Sequence, residues 1–195
     1  MQELPITDVL PVRETGAASQ GQRRLRPSGR FLRARMSHLI ALGFGSGLAR
    51  IAPGTVGTLW AWAAFGVLSH WLGEAAWGWF IGASLPLGWW ACSLTARDLR
   101  TPDPGAIVWD EIVAFWLVLW LLTPASLGAQ AVAFALFRYF DAAKPGPVRW
   151  ADSLFHDLDL EHDSRAWSKA GFGIMLDDLV AAGCTLLLIA LWRHI

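Results

Sequence analysis

The chain has 195 residues, of which 54% are hydrophobic and only 16% charged. Soluble domains run nearer about a quarter charged, so the composition argues against a water-soluble enzyme and for a single domain living in a bilayer. Sixteen bases balance sixteen acids, which argues against a basic nucleic-acid binder.

In chain order, residues 1–35 are polar and end in Arg23, Arg24, Arg26, Arg30, Arg33 and Arg35. No apolar run precedes these arginines, so the segment reads as a disordered or surface-lying cytosolic arm rather than a cleaved signal. An Arg-rich presequence is the other reading, weakened by Glu3, Asp8 and Glu14. The rest, 36–195, reads as a membrane-embedded domain. Residues 36–53 are apolar but broken by Gly43, Gly45, Gly47 and Pro53. They predict a short helix leading into a re-entrant or interfacial Gly-rich segment.

Five apolar segments follow, at 55–72, 75–96, 106–122, 127–143 and 173–192. Each approaches the roughly 20 residues needed to cross the hydrocarbon core. With no period-2 alternation, the fold class is all-α: a polytopic membrane helical bundle of about five spans. The 13 Trp suit membrane–water interfaces. Cys92 and Cys184 form no CxxC pair and read as small core residues. With the arginine-rich end in the cytosol, 15 of the 16 bases fall on that side, as the positive-inside rule expects. Of the 16 acids, 15 fall there too, and Glu74 alone lies opposite.

That topology gathers Asp110 and Glu111, Asp141, and Asp177 and Asp178 at three cytosolic helix ends. Carboxylates in a membrane segment are costly unless they face inward around a cation, and clustered oxygens suit Mg²⁺, Ca²⁺ or Mn²⁺. A plainer reading stands beside this one. First-turn acids stabilise the positive end of a helix, and Asp141 can pair with Arg138 three residues earlier. Arg138 and Lys144 flank the acids as candidate phosphate holders, while Arg149 suits the headgroup level. The stretch GFGSGLARIAPGTVGT offers backbone N–H groups and the hydroxyls of Ser46, Thr55 and Thr58 to an anion. The same glycines also suit tight helix packing. Asp157-Leu-Asp159-Leu reads as a solvated acidic patch. There is no GxSxG or HExxH, and His38 is the one histidine near the Gly-rich segment.

Taken together, LIALGFGSGLARIAPGTVGTLWA, DPGAIVWDEIVAFW, FRYFDAAKPGPVRW and GFGIMLDDLVAAG resemble bacterial phosphatidylglycerophosphatase A over residues 39–183. Ala114, Gly146, Ala170 and a long acidic loop at 153–169 depart from the family pattern, and none removes a carboxylate. The resemblance implies a Mg²⁺-dependent, multi-pass enzyme of the bacterial inner membrane, active at its cytoplasmic face. It would remove the terminal phosphate of phosphatidylglycerophosphate, a phospholipid substrate in the bilayer, to give phosphatidylglycerol. The metal would be held among Asp110, Glu111, Asp141, Asp177 and Asp178, and catalysis would rest on Asp110, Glu111, Asp141 and Asp178. Arg138, Lys144, Ser46, Thr55 and Thr58 would bind phosphate. The rival from another class is an ion- or proton-coupled transporter using the same carboxylates. A non-catalytic scaffold has no positive feature, and the DGxxAR pattern of CDP-alcohol phosphotransferases is missing.

Overall fold

The computed structural model describes residues 9–11, 25–155, 158–160 and 162–194. Among these residues the structure is all-α apart from two three-residue strands, β1 (Val9–Pro11) and β2 (Leu25–Pro27), which pair antiparallel with Leu10 opposite Arg26. Most of the arm expected to be disordered, residues 1–8 and 12–24, lies outside the described residues. Its last part is helical: α1 (Gly29–Ala34) starts at Ser28, whose hydroxyl accepts from the Phe31 N–H. Phe31 is buried, anchoring α1 to the folded domain.

Next come α2 (Met36–Ala41) and a 3-10 helix over Gly43–Leu48. The latter is kinked at Phe44 and Gly45, both with positive φ. The short helix followed by irregular Gly-rich backbone is what the sequence predicts. The larger helices are α3 (Pro53–Leu68), α4 (Glu74–Asp98), α5 (Trp109–Leu122), α6 (Leu127–Ala143) and α8 (Ala166–His194), with the short α7 (Pro147–Ser153) between the last two. Pro53 opens α3, where its missing N–H has no intrahelical partner to lose. Ser126 caps α6 through the Ala129 N–H.

These five larger helices coincide with the five apolar segments, but their lengths differ: 16, 25, 14, 17 and 29 residues. Three fall short of the roughly 20 residues that span a bilayer core. Among the described residues, Ala166–Trp192 is the one helix stretch both long and apolar enough to cross by itself. Helix α4 has the length, but Trp77, Trp79, Trp89, Trp90 and three hydroxyl residues dilute its apolar character. Of the about five spans expected, length and composition alone therefore bear out one among the described residues; α3, α5 and α6 have 16, 14 and 17 residues.

Short turns at 69–73 and 123–126 reverse the chain, so successive helices run antiparallel. Helix α5 is the centre. It packs against α3, α4, α6 and α8, and ten of its residues, from Trp109 to Leu122, are buried around its whole circumference. An aromatic cluster fixes it in place: Trp116 meets Phe80 at 5.3 Å, Trp109 at 5.7 Å and Trp77 at 6.0 Å between ring centres. The Trp116 indole donates to the Ala61 carbonyl at 2.9 Å, satisfying its one buried donor. Part of the tryptophan excess thus serves the core rather than the interface. Helix α8 lies along α4, α5, α6 and α7. Its approach to α4 needs Gly171, where a Cβ would sit 2.1 Å from Ser93 Oγ. Cys92 is buried, Cys184 half-buried, and neither is in a disulfide.

Candidate functional site

The antiparallel arrangement brings the start of α3, the start of α5, the end of α6 and the first half of α8 to one end of the bundle. Asp110 and Glu111 occupy the first turn of α5. Asp110 is 8% and Asp178 3% exposed. Asp178 feels the charges of Asp141, Asp110, Asp177 and Glu111 together. The four other carboxylates singled out from the sequence thus lie within electrostatic reach of Asp178, and the five are supplied by three helices.

Two cations stitch them together. Arg138 Nη1 donates to Glu111 Oε1 at 2.9 Å and to Asp141 Oδ2, tying α5 to α6. Lys144 Nζ donates to Asp152 Oδ1 at 2.5 Å and to Asp177 Oδ2 at 2.6 Å, tying the end of α6 to α7 and α8. Burial opposes the Lys144 charge, but the hydrogen bonds it donates to the two aspartates outweigh it and hold the ammonium above the ordinary lysine range. The pairing of Asp141 with Arg138 is therefore real, but it is one edge of a larger network. First-turn stabilisation covers Asp110 and Glu111 only. Helix α8 begins at Ala166 rather than near 173, so Asp177 and Asp178 sit about three turns inside it, beyond the reach of its dipole.

Charge in this network is unbalanced. Asp110, Glu111, Asp141, Asp152, Asp177 and Asp178 surround Arg138 and Lys144. Asp110 Oδ1 and Glu111 Oε2 are buried without a hydrogen-bond partner among the described residues, which is costly in a site shielded from water. Orphaned carboxylate oxygens in a net-negative, oxygen-only donor set fit a hard divalent cation. Among the described residues, however, no three acidic, His or Cys side chains are already gathered at ligating distance. The donors are neighbours rather than a closed cage.

The Gly-rich segment serves this end by close packing. A Cβ on Gly54 would lie 1.8 Å from Glu111 Oε1, so a side chain there would have to push that carboxylate aside. Of the three hydroxyls expected to meet phosphate, Ser46 donates to the Gly43 carbonyl and Thr58 to the Gly54 carbonyl, each at 2.8 Å. Thr58 is fully buried. Thr55 is half-buried in the first turn of α3, beside Gly54. Arg149 is exposed on α7.

His38 does not join the carboxylates. It is buried against Phe31 with ring centres 3.9 Å apart, and Nε2 meets Asp98 Oδ2 at 2.9 Å. Arg35 reaches the same oxygen, so this trio fastens α2 to α4. Asp159 lies in an exposed loop against His162; Asp157 lies outside the described residues. Sequence reasoning missed Asp152 and Asp103. Asp152 was hidden in what read as a loop, though Pro147 two residues after Pro145 signals a helix start that carries it. Asp103 is exposed just ahead of α5, and its charge is felt by Asp110, Glu111 and Asp177. The Asp-Pro pair at 103–104 was its available signal.

Comparison with known proteins points to one family. The model of a family described as phosphatidylglycerophosphatase A matches residues 39–193. A phosphatidylglycerophosphatase A of Escherichia coli strain K12 is 38% identical over 144 residues, covering 74% of this chain and 76% of the relative. The protein of that name from Haemophilus influenzae Rd is 39% identical over 145 residues, covering 74% and 81%. A relative from Bacteroides thetaiotaomicron is 34% identical over 163 residues, covering 80% and 93%. It is named a phosphatidylinositol-3-phosphatase, a designation its name marks as provisional. No solved structure matches the chain. The chain is a phosphatase, and it belongs to the phosphatidylglycerophosphatase A family.

Proposed function

We propose that this phosphatase hydrolyses the terminal phosphomonoester of phosphatidylglycerophosphate, releasing phosphate and leaving phosphatidylglycerol, at the cytoplasmic face of a bacterial inner membrane. The observation that carries the reading is the convergence of α5, α6 and α8 carboxylates with two cations at one end of an apolar bundle. Names of the relatives supply the substrate class. In this reading α3, α4, α5, α6 and α8 all lie in the bilayer, with the arginine-rich N-terminus in the cytosol. The short α5 need not face lipid, because its neighbours wrap it. Exposed Val67, Leu121, Val132, Leu187, Leu188 and Leu191 suit hydrocarbon better than water. The oligomeric state plays no part in this reading.

Asp110, Glu111 and Asp178, with Asp141 and Asp177 beside them, are the residues to hold Mg²⁺. When bound, the ion supplies neutralising charge and polarises the phosphoryl oxygens. Lys144 and Arg138 orient the phosphate by charge-assisted hydrogen bonds. A carboxylate not spent on the cation takes a proton from the attacking water. The water oxygen bonds to phosphorus as the P–O bond to the glycerol carbon's oxygen breaks, and that oxygen leaves with a proton as an alcohol. Ser46, Thr55 and Thr58 keep the Gly-rich segment closed beside the headgroup, and the acyl chains stay in lipid. The transporter reading is not favoured, because the acids gather at one end and the chain belongs to a phosphatase family.

The test is phosphate release by purified protein from phosphatidylglycerophosphate, phosphatidate and phosphatidylinositol 3-phosphate, each with Mg²⁺ and with chelator. Fastest release from the first, abolished by chelation and restored by Mg²⁺, is expected. Release indifferent to chelator would overturn the metal assignment, and preference for another lipid the substrate assignment.

A further inference from the structure

The two cations of the site are held differently. Arg138 sits in regular helix and pairs with carboxylates of α5 and of its own helix. Lys144 ends α6 in the left-handed region, at φ 44° and ψ 52°. Gly or Asn is the usual residue at such a position, and a lysine there is strained. Strain of this kind persists where the surroundings hold the residue for a purpose. Gly146, also at positive φ, completes the reversal that lays α7 back against α8. Val148 and Ala151 are fully buried, so α7 is firmly seated and its Asp152 is delivered to a fixed place.

An ammonium has three N–H donors in tetrahedral arrangement. Two of those on Lys144 are taken by Asp152 from α7 and Asp177 from α8. Fixing two of the three directions fixes the third. One aspartate alone would leave the ammonium free to swing about a single bond.

We propose that Asp152 is a positioning residue: with Asp177 it clamps the Lys144 ammonium so that its remaining donor meets the substrate phosphate. The role in turnover rests on the function proposed above; the clamp itself does not. Asp152 touches no reacting atom, and acts through Lys144.

The chain's composition makes the clamp directly measurable, because Lys144 and Lys169 are its only lysines. In full-length protein, trace labelling with acetic anhydride reads the reactivity of each amine. Lys169, paired with Asp163 at 2.6 Å, serves as internal reference. Asp152→Ala should raise Lys144 labelling relative to Lys169 by about threefold or more, since the amine loses one of the two carboxylate oxygens that hold it in place. Asp152→Asn, which keeps an oxygen acceptor, should fall between. In turnover of phosphatidylglycerophosphate, Asp152→Ala should raise KM about tenfold with kcat within about threefold, and Asp152→Asn should recover most of the loss. Unchanged Lys144 labelling in either folded variant overturns the clamp. So does a loss confined to the yield of folded protein with KM unaltered. Should wild-type protein release no phosphate from the lipid, the functional reading fails while the labelling still decides the clamp.

Discussion

The two ends of this bundle are built from opposite chemistry on the same helices. At one end α3, α5, α6 and α8 bring together buried carboxylates, an arginine and a lysine, with oxygens of Asp110 and Glu111 left unpartnered. At the other, the same helices finish in aromatic rings, hydroxyls and carbonyls. Trp77 donates to Ser69 Oγ at 3.1 Å, Trp120 to the Glu74 carbonyl at 3.0 Å and Trp62 to Gln130 Oε1 at 2.7 Å. A groove of about 650 Å³ opens there between α3 and the α5–α6 turn, lined by Leu59, Trp62, Phe65, Pro124 and Leu127 among others. The aromatic end pairs these three indole donors locally, whereas at the charged end Asp110 Oδ1 and Glu111 Oε2 have no hydrogen-bond partner among the described residues. The contrast teaches that stability and chemistry are separated along the helix axes.

The largest expected effects test the charged end. Asp110→Asn and Asp178→Asn replace an ionisable carboxyl by an amide at two of the most buried acids while keeping shape. Each should lower phosphate release by about a hundredfold or more, as loss of a group acting on transition-state charge does. Both proteins should remain folded, since the wild-type site already carries excess negative charge. Near-normal turnover in either variant, with the fold intact by circular dichroism, would remove that residue from the site.

A smaller effect tests how tightly α3 must rest on the site. Gly54→Ala drives a methyl into the Glu111 carboxylate, which must move and loosen its bond to Arg138. Overpacking of this sort costs about 1–3 kcal/mol. We expect a matching fall in unfolding free energy in detergent, together with reduced turnover. Gly66→Ala in the same helix meets nothing within 4 Å, so it should leave turnover unchanged and raise the unfolding free energy by about 0.5–1 kcal/mol. Equal behaviour of the two variants would break the link between the Gly-rich segment and the carboxylates.

Much of the charged end was legible in the sequence because its signal is strong: a carboxylate within an apolar segment has few reasons to exist. Asp110, Glu111, Asp141, Asp177 and Asp178 stood out for that reason, and the antiparallel helices bring them together as their shared depth implied. What could not be seen was the pairing. Whether Arg138 reaches Glu111 as well as Asp141 depends on helix rotation, which weakly amphipathic helices do not encode. Asp152 was hidden because a seven-residue helix has too few turns to show a period. The boundary of α8 was misjudged because its first two turns, from Ala166 to Lys169 onward, look like polar loop until α4 and α7 pack on them. The tryptophans carried mixed information. Composition alone cannot separate Trp77, Trp109 and Trp116, buried in the core, from Trp71, Trp79 and Trp192 on the surface.

That division of the tryptophans supplies the smallest expected effect and the sharpest control on the comparison. Trp79 and Trp192 are 83% and 82% exposed, and both stand at the aromatic end, remote along the axes from Asp110 and Asp178. An exposed indole makes few packing contacts, so truncating it in detergent should change unfolding free energy by no more than about 0.5 kcal/mol. If that end lies at a membrane–water interface, the rings help hold the bundle at its depth rather than hold it together. Trp79→Ala and Trp192→Ala should therefore keep wild-type kcat and wild-type melting in detergent, and weaken only retention in bilayers. Trp116→Ala, by contrast, empties the centre of the bundle, where loss of a buried Trp costs about 3–5 kcal/mol. The difference in fluorescence quenching by brominated lipid between wild type, with its 13 Trp, and each variant reads the depth of the missing ring. A fall in kcat for Trp79→Ala or Trp192→Ala comparable to that of Asp110→Asn would mean that the two ends are coupled after all. The separation of stability from chemistry along the helices would then have to be abandoned.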